Sequence, residues 1–164
     1  MNLLRIVLDG LAMSAAFNLA TGLIMSIRPA AFTTCYPKEI QKIASKNPTA
    51  LRDKLLFGAL VLVPVTFFGI LSAYSAGIRG FWPLFWTAYL EWFLVNLGDF
   101  FGLDLLLREK MGARLELPGT EGHPCYTRAN WMRSLAVPEH WIQWPLLVCP
   151  FFALISAGIG LLLP

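Results

Sequence analysis

The chain has 164 residues, 57% of them hydrophobic and 14% charged, with a formal net charge of +3. Soluble domains carry about 25% charged residues, and a chain this short must keep much of its surface in water, so the composition argues against a soluble globular domain and for a membrane. The basic residues form no run interleaved with aromatic side chains, which argues against nucleic-acid binding. Cys35, Cys125 and Cys149 form no CxxC pair and leave an odd count, so no disulfide framework is expected.

The pattern predicts an all-α fold in one integral membrane domain over residues 1–164, a four-transmembrane-helix bundle. Crossing roughly 30 Å of hydrocarbon takes about 20 helical residues, and backbone groups in lipid must be paired internally. The first predicted span covers about 3–27 and is interrupted near its start by Arg5 and Asp9. Its Gly10, Ser14, Asn18, Gly22 and Ser26 recur every four positions, a stripe of small and polar residues that lets helices approach closely.

A loop over 28–54 follows. Within it, "YPKEIQKIASKNP" places Pro37 to start a helix and Asn47-Pro48 to end one. Ile40, Ile43 and Ala44 share one side of that helix, and Lys38, Lys42 and Lys46 the other. This predicts a short amphipathic cytoplasmic surface helix with its lysines near anionic headgroups.

The second span, about 55–78, carries Gly69, Ala73 and Gly77 as a further packing stripe. The third runs over about 82–107 and the fourth over about 141–163, the latter with Ser156 and Gly160; a second loop, 108–140, separates them. Trp82, Trp86, Trp131, Trp141 and Trp144 fall near predicted interfaces, as an aromatic belt would. Eleven of the thirteen basic residues lie in the two long loops. The positive-inside rule therefore predicts cytoplasmic loops and both termini outside, in what reads as a bacterial plasma (inner) membrane.

The third span holds the chemistry. At about 100° per residue, Asn96 and Asp99 share a wedge of the helix with Glu91, about a turn to either side of the predicted midplane. Asp104 points away and is expected to pair with Arg108 at i,i+4. A central charge costs about 2.5–3.5 kcal/mol on insertion scales, so these acids need partners, protons or water. One expectation is structural: hydrogen bonds to Ser14, Asn18, Thr21 or Thr66 on neighbouring helices. Others are a polar cavity for a substrate or ion, or pairing with a separate membrane subunit.

The second loop contributes His123, Cys125 and His140, with Glu121 nearby. Their spacing matches no zinc pattern, and neither a metal nor another cofactor is expected. Gly119 and Gly122 predict that "LPGTEGHP" folds as a tight turn beneath the bundle.

The segments "CYPKEIQK", "DLLLRE" and "LPGTEG" together resemble a family of small four-span bacterial membrane proteins of unassigned function. The resemblance implies the topology above and no catalytic residues. Three functional readings remain open: a non-enzymatic membrane module or subunit, homo-oligomeric or within a larger membrane complex; a proton- or cation-coupled carrier or channel using Glu91 and Asp99; and a small lipid-acting enzyme with its site at His123, Cys125 and His140. Membrane lipids are partners under all three.

Overall fold

A computed structural model describes residues 3–44 and 48–163; Lys46 and Asn47, part of the predicted surface helix and its stop, lie outside them. The described residues are helical, with no strand among them. Among the described residues the main helices are α1 (Leu3–Ile27), α2 (Lys38–Ile43), α3 (Ala50–Ser75), α4 (81–111) and α5 (Arg128–Gly160), joined by short 3-10 turns. Of these, α1, α3 and α5 are long and apolar enough to cross a membrane. Helix α4 is as long but less apolar, because Glu91, Asn96, Asp99 and its tryptophans dilute it.

Helix α4 is the centre of the bundle, with α1 and α5 packed on it and α3 closing the remaining side. Its buried residues, among them Leu84, Thr87, Ala88, Glu91, Trp92, Val95 and Asn96, therefore cover more than one face. The small-residue stripe of α1 does pack on it. A Cβ added at Gly10 would lie 3.2 Å from the Glu91 Cα, and one at Gly98 would meet the side chains of Ser14 and Asn18. Outward faces of α1, α3 and α5 carry Leu8, Leu19, Leu23, Leu60, Leu71, Leu146 and Leu154, all more than half exposed. A continuous apolar exterior of this kind suits lipid rather than water.

Several boundaries differ from the sequence reading. Gly77 is not part of the α3 packing face: it has φ +73° and ends the helix. The Ile78 N–H donates to the Ala73 carbonyl and the Gly77 N–H to that of Tyr74, a Schellman stop that needs a left-handed residue at this position. Helix α5 begins at Arg128 rather than near 141, so half of the expected second loop belongs to the bundle. Helix α2 is short, and only Ile40 of its apolar side is buried, since Ile43 is 53% exposed. Ile40 packs in a cluster with Tyr36, Phe100, Leu117 and Trp131 that caps one end of the bundle.

The 117–126 turn sits beneath this cluster as expected. Gly119 and Gly122 have φ of +84° and +70°, and Leu117 and Thr120 are buried. The Tyr126 hydroxyl accepts from the Leu117 N–H at 2.9 Å and lies 2.7 Å from the Thr120 hydroxyl.

Candidate functional site

Two stretches of wide, π-helical turn face one another: Asp99–Leu107 in α4 and Glu139–Val148 in α5. Pro145 lies within the second and removes a backbone donor, so the usual i→i−4 ladder cannot continue there. An i→i+5 turn advances each residue by less than the roughly 100° of an α-helix. Over the five residues from Asp99 to Asp104 the deficit swings Asp104 back toward the Asn96 face. This corrects the expected Asp104–Arg108 pair. Asp104 instead accepts from the Trp131 indole N–H at 2.7 Å and contacts His140 Nε2 at 2.8 Å, while Arg108 donates to the Tyr126 carbonyl and stacks over the Trp131 ring.

The protonation of this network follows from its geometry. The Asn96 carboxamide N–H donates to the His140 backbone carbonyl at 3.0 Å, which can only accept, so the amide orientation is fixed. Asn96 Oδ1, 2.7 Å from His140 Nδ1, must then be an acceptor, and Nδ1 carries a proton. A single further proton lies between Nε2 and Asp104. The dyad is neutral overall, and both ring nitrogens are committed, so His140 has no lone pair for a metal or for catalysis.

Beside the dyad is a cavity of about 160 Å³, walled by Phe17, Phe32, Tyr36, Phe57, Trp131 and Trp144 and reached by Asp99, Asp104, Arg108, Glu139 and His140. The Asp99 carboxylate makes no hydrogen bond among the described residues. Glu139 faces the Trp144 indole, and the buried Thr21 hydroxyl, also on the cavity, has no partner. Asp99 and Glu139 face Arg108 on this cavity, so carboxyl groups outnumber cationic side chains in its lining. Arg108 and Asp104 also border a second cavity of about 240 Å³ toward Glu109, Glu116 and Arg128, so they form the wall between the two.

The structure divides the residues expected from sequence. Asn96, Asp99 and His140 come together. Glu91 does not join them: it is 1% exposed and lines a different cavity toward the 76–80 turn. None of the expected glue partners bonds Glu91 or Asp99 among the described residues, and the Thr21 hydroxyl has no partner there at all. Asn18 donates to Ser14 Oγ and the Val95 carbonyl, and Thr66 to the Leu62 carbonyl. His123 and Cys125 do not line the cavity that His140 reaches; the Cys125 thiol donates to Glu39 at 3.3 Å, and burial followed by that neighbouring carboxylate pushes it up. Among the described residues no group of three or more His, Cys, Asp or Glu side chains is placed to hold a metal ion. Trp131 and Trp144 are 3% and 7% exposed, so they are cavity walls rather than belt residues. An indole reads as interfacial from sequence, and only the fold shows that the Trp131 N–H has an internal carboxylate.

Comparison with protein-family models, curated proteins and solved structures found no match. The fold and cavity alone define the class: an all-helical protein with three helices long and apolar enough to cross a membrane and an acidic, aromatic-walled cavity at one end of its central helix.

Proposed function

We propose that the protein is a four-span integral membrane protein of the carrier type, whose cavity binds a small organic monocation such as a quaternary ammonium in competition with protons. In this reading α4 is the fourth span, the 28–54 and 112–127 segments face the cytoplasm of a bacterial inner membrane, and lipid covers the leucine faces. The observation that carries it is the unpartnered Asp99 carboxylate opening on six aromatic rings. A carboxylate in such surroundings is stabilised by a proton or by a cation, and aromatic faces add about 2 kcal/mol or more to a desolvated cation. A cavity near 150 Å³ accommodates a ligand of about benzene size, which sets the scale of the cation. Calorimetry of the detergent-purified protein with tetramethylammonium tests this. Binding should strengthen as pH rises and weaken at least tenfold in Asp99→Asn; unchanged affinity in that variant overturns the reading.

A second reading, a non-enzymatic membrane module or homo-oligomer, is favoured by one feature. A groove of about 590 Å³ between α1 and α4, lined by Ser14, Asn18, Gly22, Gly98 and Gly102, has the small-residue character of a helix interface. Cross-linking between copies through Ala15→Cys tests it; a strictly monomeric protein in lipid removes it.

A further inference from the structure

Glu91 and Thr87 sit one turn apart on α4, each 1% exposed. Glu91 Oε1 and Thr87 Oγ1 are both buried without a hydrogen-bond partner. Both residues line a cavity of about 320 Å³ that also meets Arg5, Asp9 and Arg79. The cavity lies at the end of the bundle that carries the 76–80 turn, opposite the Asp99 site. Two unsatisfied polar groups on one buried face are costly, so their shared orientation toward a cavity asks for an occupant.

The neighbours narrow what that occupant is. On α1, Arg5 and Asp9 face the site but are engaged. Ser72 Oγ donates to Asp9 at 2.5 Å, Arg5 bonds Ser72 and Ser75 on α3, and Arg5 and Asp9 approach to 3.4 Å. From the connecting turn, Arg79 is held over the Tyr74 ring and on the Tyr74 and Ile78 carbonyls. The α3 face against Glu91 is Gly69, whose missing side chain makes room, since an added Cβ would lie 2.9 Å from Oε2. Among the described residues Glu91 Oε1 and Thr87 Oγ1 are the buried oxygens of this cavity without a partner, and one carboxylate with one hydroxyl is too few oxygens for a metal cation that takes six or more ligands, which the nearby Arg5 also repels. A single proton needs no more than these two.

We infer that Glu91 is a second, independent proton-binding site, loaded from the face that bears the 76–80 turn, with the Thr87 hydroxyl on the same cavity stabilising the carboxylate through cavity water rather than by direct contact. This deepens the carrier reading: Asp99 holds the organic cation near one face, and Glu91, about 12 Å away at 1.5 Å per residue, holds the exchanging proton near the other. In the protonation step an O–H bond of hydronium breaks, an O–H bond forms on Glu91 Oε1, and neutral water leaves.

Infrared pH-difference spectra of the protein in lipid films test the site without any ligand. Wild type should show a carboxylic-acid carbonyl band that appears as pH falls and loses one component in Glu91→Gln, with helicity unchanged. Thr87→Val, which keeps the acid and removes the hydroxyl, should move the midpoint upward by at least half a pH unit. A band unchanged in Glu91→Gln, no titrating band in folded wild type, or an unmoved midpoint in Thr87→Val overturns the inference. Tetramethylammonium binding on the same samples separates the two claims: a titrating Glu91 without cation binding removes the carrier role alone.

Discussion

Replacing His140 by Phe keeps the aromatic volume against Phe100 and Trp144 while deleting both ring nitrogens. Two contacts vanish, at 2.7 Å to Asn96 and 2.8 Å to Asp104, leaving two buried acceptors unpaired. Orphaning a buried acceptor costs about 1–3 kcal/mol. Interhelical polar pairs in membrane proteins average about 0.6 kcal/mol and reach about 1.7. His140 is 2% exposed and the Asp104 side chain 13%, so screening is slight and the upper membrane value applies to each bond, giving about 3.4 kcal/mol. That is about 250-fold in the unfolding equilibrium, read by denaturing-detergent titration of helicity in mixed micelles. The double variant His140→Phe with Asp104→Asn should lose less than the sum of the two single changes, because Asp104 is no longer stranded. A loss below about 0.5 kcal/mol in the single variant, or strict additivity, would refute the neutral-dyad account.

Glycine substitutions on α4 should separate by position: Gly98→Ala destabilises by more than about 1 kcal/mol, because its Cβ meets Ser14 and Asn18, whereas Gly102→Ala, with nothing within 4 Å, changes little in the same titration. Maleimide labelling of the protein in lipid should modify Cys35, which is exposed, and Cys125, and should spare buried Cys149. Glu39→Gln should speed the Cys125 reaction, since it removes the carboxylate that helps hold the thiol protonated; equal rates contradict that contact. Hydrogen bonds from its own N–H and that of Gly119 hold the Glu121 carboxyl below its ordinary 4.5. Its stabilisation of the 117–126 turn is therefore full above pH 4.5 and lost as pH falls through the depressed value. The Gly119 amide resonance should follow that loss, and Glu121→Gln should abolish the pH dependence.

The helical class, the α1 stripe and the tight 117–126 turn were legible because each is local: a run of apolar residues, a four-residue recurrence, glycines where left-handed backbone is required. The site was legible only in part. Asn96 and Asp99 were visible as polar residues in an apolar run. Asp104 was misassigned because 100° per residue assumes an α-helix, and wide turns are not encoded by any single residue type. His140 looked like a loop residue because Arg128, Arg133, Glu139 and His140 itself lower the hydropathy ahead of Trp141. The missed signal was the absence of any glycine between Gly122 and Gly158, which allows one unbroken helix from Arg128. Glu91 was grouped with Asp99 by angle alone. The Arg5 and Asp9 spacing near the start of α1 was the available sign of polar company at the opposite end.

The central claim is that a proton and an organic cation compete for the cavity at Asp99. Calorimetric titration of tetramethylammonium in buffers of different ionisation enthalpy measures it directly. The account predicts that binding releases protons to the buffer, by an amount that falls as pH rises, and that Asp99→Asn abolishes the release. Binding with no proton release at any pH, or undiminished release in Asp99→Asn, would contradict it.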